Sequence, residues 1–178
     1  PRGARGLAGI AAPPGVGKSV VLAWLAAAAR AMRWTHLAFL SLDGYHFPNA
    51  VLDARRRRSP NGAEESLRLY KGIPETFDAA ALAADLAALQ SDRAPRSLPR
   101  YSRVTHDPEP NAVCIAGDVD WIFIEGNFLF LDAPVWRDIR DRFDCRIYLD
   151  AEDSVLRERL FRRHRRGGKP PEHIAAHF

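Results

Sequence analysis

The stretch APPGVGKSV, residues 12–20, constrains this chain more than any other part of its sequence. It lies between a short apolar run, LAGIAA at 7–12, and a long Ala- and Leu-rich run at 19–33. The first run predicts a buried strand that ends in the turn PPG, and the second predicts a helix that packs against a sheet. A strand, a glycine-containing loop and a helix in this order are the setting of a phosphate-binding loop.

The motif inside this stretch is close to the consensus G-x-x-x-x-G-K-[ST], with alanine in place of the first glycine. Gly15 and Gly17 allow the backbone to approach a ligand closely. Lys18 is predicted to reach the β- and γ-phosphates of a nucleotide, and the Ser19 hydroxyl to bind Mg²⁺. An ordinary Gly/Pro turn between strand and helix is the alternative. The residues predicted to bind the nucleotide are Ala12, Pro13, Pro14, Gly15, Val16, Gly17, Lys18, Ser19 and Val20.

Strand-like and helix-like runs alternate along the remainder of the chain. The predicted core strands are 7–12, 35–43, 119–126 and 145–151, and the predicted helices are 19–33, 78–90, 134–141 and 153–166. Less regular helix-like pieces lie at 49–56 and 63–70, and a peripheral hairpin is predicted from 98–104 and 111–117. This alternation indicates an α/β fold of three layers, with a doubly wound parallel sheet, as a single domain over residues 1–178.

Composition narrows the function classes. The chain has 178 residues, 47% of them hydrophobic, and a formal net charge of +4, a mild basic bias that does not indicate a dedicated nucleic-acid binder. Its longest apolar run, at 20–29, is about half of a membrane span. The two cysteines lie apart in strand-like runs and predict buried, reduced thiols. We expect a cytoplasmic protein with no nucleic-acid or membrane partner, and a homodimer stays open.

Two acidic residues are placed alike with respect to buried strands. Glu125 is carried by the apolar run WIFI, and Asp43 ends the run THLAFLSLD. Since the carboxyl ends of parallel strands meet at one edge of a sheet, both carboxylates are expected beside the phosphate loop. Glu125 is predicted to hold Mg²⁺ directly or through water, and Asp43 to accept a proton from an attacking hydroxyl. Turn-capping carboxylates are the alternative for both.

Residues near Asp43 and in the predicted hairpin suggest a substrate pocket. Gly44 predicts either a sharp turn or the close approach of a substrate. Tyr45 and His46 are suited to holding a substrate, since each combines an apolar ring with a polar atom. The polar residues of YSRVTHDP are candidates for the same pocket or for a hairpin surface; they are Tyr101, Arg103 and His106.

The chain resembles the P-loop small-molecule kinases grouped with uridine kinase, phosphoribulokinase and type I pantothenate kinase. The resemblance rests, in this order, on GIAAPPGVGKS, LDGYHFPN, YKGIPETFD, LPRYSRVTHDP, IFIEGN and RIYLDAEDSVLRERLFRRH. It looks closest to the branch labelled nucleoside-kinase-like or fructokinase-like. It implies the P-loop nucleoside triphosphate hydrolase fold, ATP and Mg²⁺, and transfer of the γ-phosphate to a hydroxyl of a nucleoside, a pantothenate-like molecule or a sugar.

The resemblance also implies roles for single residues. Asp43 matches the proposed catalytic base, and Glu125 matches the Walker B-type acid. Arg159 and Arg163 match arginines on a lid helix, here about residues 157–170, that closes over the nucleotide.

Three further assignments complete the predicted site. Lys18 and Arg163 are expected to assist catalysis beside Asp43, and Asn127, within IFIEGN, to contact the substrate. The run RRRR at 55–58 and the remaining lid arginines are interpreted as solvated helix faces.

The sequence departs from the family in two respects. The segment that follows the lid in the family, with the last core strand, is missing beyond Phe178, so the domain is expected to be incomplete at its C-terminus and its adenine contacts are not assigned. The substrate motifs of pantothenate kinase and uridine kinase match only in part, so neither substrate is transferred to this chain.

Three rival functions share the phosphate loop. A regulatory GTPase should carry an N-K-x-D motif, which this sequence lacks. A nucleic-acid-dependent ATPase should interleave aromatic and basic residues, and no such pattern is present. A nucleotide-binding ATPase module without small-molecule kinase activity is the main alternative.

Overall fold

The computed structural model describes residues 3–59 and 61–166, including their side chains except those of residues 160 and 163–166. In chain order the elements are β1 (Gly6–Ala11), α1 (Lys18–Ala31), β2 (Leu37–Ser41), α2 (Asn49–Ala54), β3 (Arg56–Arg58), β4 (Glu64–Ser66), α3 (Ala79–Ser91), β5 (Arg96–Ser102), β6 (Asp107–Ile115), β7 (Trp121–Gly126), α4 (Trp136–Asp141), β8 (Cys145–Tyr148) and α5 (Asp153–Arg166). Short 3₁₀ turns span Leu42–Tyr45, Leu67–Tyr70 and Pro74–Thr76.

Four strands form a parallel sheet in the order β2-β7-β1-β8, which confirms the predicted α/β fold. Its register places Glu125 beside Ser41 on one side and beside Ile10 on the other. The carboxyl ends of β1, β2 and β7 therefore meet at one edge, where the phosphate loop and both predicted acids emerge.

The main core lies on one face of this sheet. Leu82, Leu86 and Leu89 of α3 are buried there, as their helical spacing predicted, together with Ile122 and Ile124 of β7. On the opposite face, the rings of Phe39 and Phe123 stack at 5.5 Å, and α1 packs along β2 and β7. Helices thus flank the sheet on both faces, which leaves the strand ends open for a ligand.

Arg5, just before β1, is a buried cation that joins three parts of the fold. Its side chain is 2% exposed. The guanidinium donates hydrogen bonds to the carbonyl oxygens of Leu89, Asp92, Ala94 and Ala116, at 3.2, 2.8, 3.4 and 3.1 Å. Burial lowers its pKa. Arg5 therefore caps the end of α3 and ties it to β1 and to the segment after β6.

The sequence predicted either a sharp turn or the close approach of a substrate at Gly44. In the structure, the group that approaches Gly44 closely is the protein backbone. A Cβ at this position would lie 2.6 Å from the carbonyl oxygen of Pro99 in β5. The Leu42–Tyr45 turn and the β5–β6 ribbon are therefore in direct backbone contact, and glycine is required for that contact.

Three local predictions were wrong. Residues 63–70 form β4 and a 3₁₀ turn rather than a helix. Most of the RRRR run forms β3, where Arg57 and Arg58 stand opposite Glu65 and Glu64. The antiparallel pairing and the opposed charges favour an exposed hairpin, whose cross-strand contacts are not visible in the composition of either strand alone. Both cysteines are exposed because they lie on β6 and on the edge strand β8.

Among the described residues, no helix is both long and apolar enough to cross a membrane.

Candidate active site

The loop between β1 and α1 has the backbone geometry of a ligand cradle. Gly15 and Gly17 have φ angles of 90° and 112°, in the left-handed region that favours glycine. Gly17 is the N-cap of α1, and Val20 and Val21 donate backbone hydrogen bonds to its carbonyl oxygen. The N–H groups of the first helical turn have no intrahelical acceptor, so the positive end of α1 faces the loop opening.

A cavity of about 370 Å³ opens in front of this loop. It brings together the loop, the ends of β2 and β7, the β5–β6 turn and α5. Its lining residues are Pro14, Gly15, Gly17, Lys18, Ser19, Val20, Asp43, Arg103, Glu125, Gly126, Asn127 and Arg159. Most predicted nucleotide-site residues, both predicted acids and two predicted substrate residues thus share one cavity.

The remaining loop residues contribute backbone atoms rather than cavity surface. Lys18, 8% exposed, donates hydrogen bonds to the carbonyl oxygens of Ala12 at 2.8 Å and Pro13 at 3.1 Å. Arg159 of α5 donates to the carbonyl oxygen of Val16 at 2.9 Å. These bonds fix the shape of the loop and attach α5 to it.

Glu125 is a buried carboxylate held by two hydroxyl groups. It is 5% exposed, and its Oε1 accepts hydrogen bonds from Ser41 at 2.7 Å and from Ser19 at 3.3 Å. Burial raises its pKa and the negative charge of Asp43 adds to this rise, while Lys18 and the two hydroxyl bonds act in the opposite direction. The carboxylate therefore lies buried beside the first turn of α1, where a bound cation would stabilise its negative charge.

The donor set at Glu125 fits Mg²⁺. The Ser19 hydroxyl and the carboxylate offer hard oxygen ligands, and Mg²⁺ commonly takes one or two protein ligands with phosphate oxygens and water completing its shell. Within residues 3–59 and 61–166, no group of three or more His, Cys, Asp or Glu side chains could hold a metal. A magnesium ion here would share its coordination with a bound phosphate.

Asp43 lies in the 3₁₀ turn that follows β2, two residues beyond the observed strand end. Its side chain is half-buried and lines the cavity. Its backbone N–H donates to the Ser41 hydroxyl oxygen at 3.2 Å, and its carbonyl oxygen contacts His46 Nδ1 at 3.0 Å. The local turn holds the residue through its backbone, which leaves the carboxylate available to the cavity.

Ser41 is a site residue that sequence reasoning missed. Its single hydroxyl donates to Glu125 and accepts from the backbone of Asp43, so it connects the two acids. The sequence does show a serine two residues before Asp43, at the end of a strand. Its role could not be predicted, because its partner Glu125 lies 84 residues away.

Lys71 is a second missed residue. Its ammonium donates to Asn49 Oδ1 and to the His106 carbonyl oxygen, both at 2.8 Å, and lies 4.9 Å from the centroid of the Tyr101 ring. Burial lowers its pKa, while Asp107 and Asp43 oppose that shift. The segment YKGIPETFD contains it, but nothing local in that segment distinguishes this lysine from a surface one.

The other predicted substrate residues take different positions. Tyr45 and His46 line a second cavity of about 430 Å³, next to the Leu42–Tyr45 turn. Tyr45 is 4% exposed, and its hydroxyl donates a hydrogen bond to the Asp85 carboxylate at 3.0 Å. His46 stacks against Phe77 at 3.8 Å and lies 5.4 Å from the Tyr101 ring, and burial lowers its pKa. Both residues therefore line this second cavity and not the cavity at the phosphate loop.

Two predicted residues remain in the hairpin and the lid helix. His106, at φ 55°, is exposed and contributes its backbone carbonyl to the hairpin contacts. The side chain of Arg163 lies outside the described residues, as does the part of the predicted lid beyond residue 166.

Comparisons with known proteins agree with this geometry. The model of the phosphoribulokinase/uridine kinase family matches residues 7–178. "Uncharacterized protein YggC" of Escherichia coli K12 is 34% identical over 160 residues, which are 89% of this chain and 62% of that protein. A pantothenate kinase of Bradyrhizobium sp. ORS 278 is 32% identical over 158 residues, which are 84% of this chain and 46% of that protein.

A solved structure extends the likeness to three dimensions. The crystal structure of a "putative fructose transport system kinase" from Silicibacter sp. TM1040 has a TM-score of 0.80 and 30% identity, over 97% of this chain and 78% of that one. The chain spans about half to two thirds of the length of the two curated relatives. On the family match and the shared fold, this chain belongs to the phosphoribulokinase/uridine kinase family of P-loop proteins.

Proposed function

We propose that this chain carries the catalytic site of an ATP-dependent small-molecule kinase, which transfers the γ-phosphate of ATP to a hydroxyl group. One observation carries the proposal: the half-buried carboxylate of Asp43 lines the same cavity as the phosphate loop and Glu125. A protein that only holds a nucleotide needs the loop and the metal-side acid. A second acid in the same cavity, connected to Glu125 through Ser41, suits an acceptor hydroxyl.

The proposed reaction assigns a task to each side of the cavity. The first turn of α1 and Lys18 bind the terminal phosphates of ATP. Ser19 and Glu125 would hold Mg²⁺, which would supply positive charge against the phosphate oxygens. The acceptor oxygen forms a bond to the γ-phosphorus as the bond from that phosphorus to the bridging oxygen of ADP breaks. The hydroxyl proton passes to a carboxylate oxygen of Asp43.

The lid arginines complete the proposed site. Arg159 already lines the cavity from α5 and contacts the phosphate loop. Because the transition state is loose and its charge is spread over the transferred group, one well-placed arginine can contribute about 10³- to 10⁵-fold in rate. We assign this role to Arg159, with Arg163 as the second arginine that the family resemblance predicts.

Incubation of the purified protein with γ-labelled ATP and a panel of acceptors tests the proposal. The panel should contain nucleosides, pantothenate, sugars, sugar phosphates and hydroxy acids. We expect the label to move to one acceptor class in the presence of Mg²⁺. Release of labelled phosphate without transfer to any acceptor would instead support the nucleotide-hydrolysing module.

Removal of the Ser41 hydroxyl should weaken the metal side of this site. In Ser41→Ala, Glu125 loses its shorter hydrogen bond and Asp43 N–H loses its acceptor. Since groups that orient a metal ligand commonly contribute about 10- to 100-fold, we expect the Mg²⁺ concentration for half-maximal activity to rise by that factor. Ser41→Thr keeps the hydroxyl and should behave like the natural protein. An unchanged Mg²⁺ requirement in Ser41→Ala would contradict the assignment.

A further inference from the structure

The turn that joins β5 to β6 presents a guanidinium without a counter-charge from the described residues. Arg103 lines the cavity together with Asp43, and it has no hydrogen bond or ion pair within residues 3–59 and 61–166. The other arginine of this ribbon near the turn is different, since Arg100 pairs with Glu109 at 3.0 Å. Arg103 is therefore available to a ligand, whereas Arg100 is already neutralised.

The turn that carries Arg103 is held in place by its neighbours. The backbone N–H of Asn49 donates to Asp107 Oδ1 at 2.8 Å, and the Asn49 side-chain amide donates to the His106 carbonyl oxygen at 3.0 Å. Lys71 donates to the same carbonyl oxygen at 2.8 Å. Two of these bonds attach the turn to the start of α2 and the third attaches it to Lys71, so the backbone next to Arg103 is held by the protein itself.

Arg103 lies on the Asp43 side of the cavity. The ribbon that carries Arg103 contacts the turn that carries Asp43 directly, since a Cβ on Gly44 would lie 2.6 Å from the Pro99 carbonyl oxygen. Within the same ribbon, Tyr101 lies 5.4 Å from the ring of His46 and 4.9 Å from the ammonium of Lys71. The nucleotide side has its own cationic groups in Lys18, Arg159 and the first turn of α1. An additional cation next to the proposed base therefore suits the acceptor.

We propose that the acceptor carries an anionic group, a carboxylate or a phosphate ester, which Arg103 binds while its hydroxyl faces Asp43. This inference rests on the proposed kinase function. A guanidinium binds both kinds of anion through two parallel N–H donors. The cavity of about 370 Å³ also has to admit the terminal phosphates of ATP. The anionic group is thus within a few bonds of the reacting hydroxyl, as in a hydroxy acid or a polyol phosphate.

Pairs of acceptors that differ only in the anionic group test this proposal on the purified protein. Suitable pairs are D-glycerate with glycerol, pantothenate with pantothenol, and fructose 6-phosphate with fructose. We expect kcat/KM to be about 10- to 100-fold higher for the anionic member of the preferred pair, the range that charge-assisted hydrogen bonds provide. The carboxylate and phosphate pairs distinguish the two anions.

Two variants test whether Arg103 causes the preference for anionic acceptors. Arg103→Met is the test, and Arg100→Met is the matched control on the same ribbon. Arg103→Met should lower kcat/KM of the anionic member far more than that of the neutral member, so that the preference is lost, without raising the KM for ATP. Arg100→Met should retain the preference. If Arg103→Met instead raises the KM for ATP, or slows both members equally, the arginine serves the nucleotide and the proposal is wrong.

Binding measured without turnover separates this proposal from the kinase function. Calorimetric titration of each pair into the protein with a non-hydrolysable ATP analogue reports on the anion site directly. Tighter binding of anionic members without transfer from ATP would reject the proposed function and retain the anion site. If no anionic member binds more tightly than its neutral partner, the anion site is rejected, whether or not transfer occurs.

Discussion

In the Asp43→Asn protein we expect ATP to bind with unchanged affinity while phosphoryl transfer falls by about 10²- to 10⁴-fold. Asparagine has nearly the same shape, and the backbone contacts of residue 43 to Ser41 and His46 do not involve its side chain. The amide cannot accept the proton of the acceptor hydroxyl. The loss should therefore appear in the transfer step rather than in nucleotide binding.

Two measurements separate these effects. Calorimetry gives the affinity for ATP, and single-turnover transfer of the γ-phosphate gives the rate of the chemical step. Asp53→Asn is a suitable control, because Asp53 is a surface carboxylate paired with Arg68 at 2.8 Å and does not line the cavity. Unchanged transfer in Asp43→Asn with the correct acceptor would remove Asp43 from the mechanism.

Replacement of Arg5 by methionine should have the largest effect on stability. The variant keeps an apolar stem but leaves four carbonyl oxygens without their donor. An unsatisfied buried carbonyl oxygen costs about 1–3 kcal/mol, so with four of them affected we expect the free energy of unfolding to fall by about 3–5 kcal/mol. Urea denaturation measures this change. Because Arg5 ties β1 to the end of α3, the variant should also lose ATP binding at a lower urea concentration than the natural protein.

Controls for this prediction are available in the same chain. Arg137→Met removes a more exposed arginine, which pairs with Asp132 at 2.8 Å, and should change stability much less. Arg5→Lys keeps the positive charge but cannot reach all four carbonyl oxygens, so its stability should lie between the natural protein and Arg5→Met. Equal stability of Arg5→Met and Arg137→Met would show that the carbonyl contacts of Arg5 contribute little.

The parts of the fold that could be predicted depend on neighbours in the chain. The phosphate loop and the helix after it follow from a strand, two glycines and a Lys-Ser pair within about a dozen residues. The leucines of α3 were recognisable as core because a helix repeats every 3.6 residues. Residues 63–70 were mistaken for a helix, since their pairing with β3 cannot be seen in local composition.

The candidate site shows the same division. Glu125 and Asp43 could be placed at one sheet edge because parallel strands end together, and the structure brings both into one cavity. Tyr45 and His46 were predicted to hold the substrate because each combines an apolar ring with a polar atom, but in the structure both line a second cavity. Ser41 and Lys71 were missed because their partners come from other strands and turns.

By itself, the sequence determined the class of fold, the phosphate loop and the two acids that face it, since each depends on residue types at short spacing. Only the tertiary structure decided that one serine connects both acids and that Arg103 faces the cavity while Arg100 is neutralised. Those contacts arise where strands and turns distant in sequence meet. Their geometry depends on sheet order and on the close contact at Gly44, which no local pattern encodes.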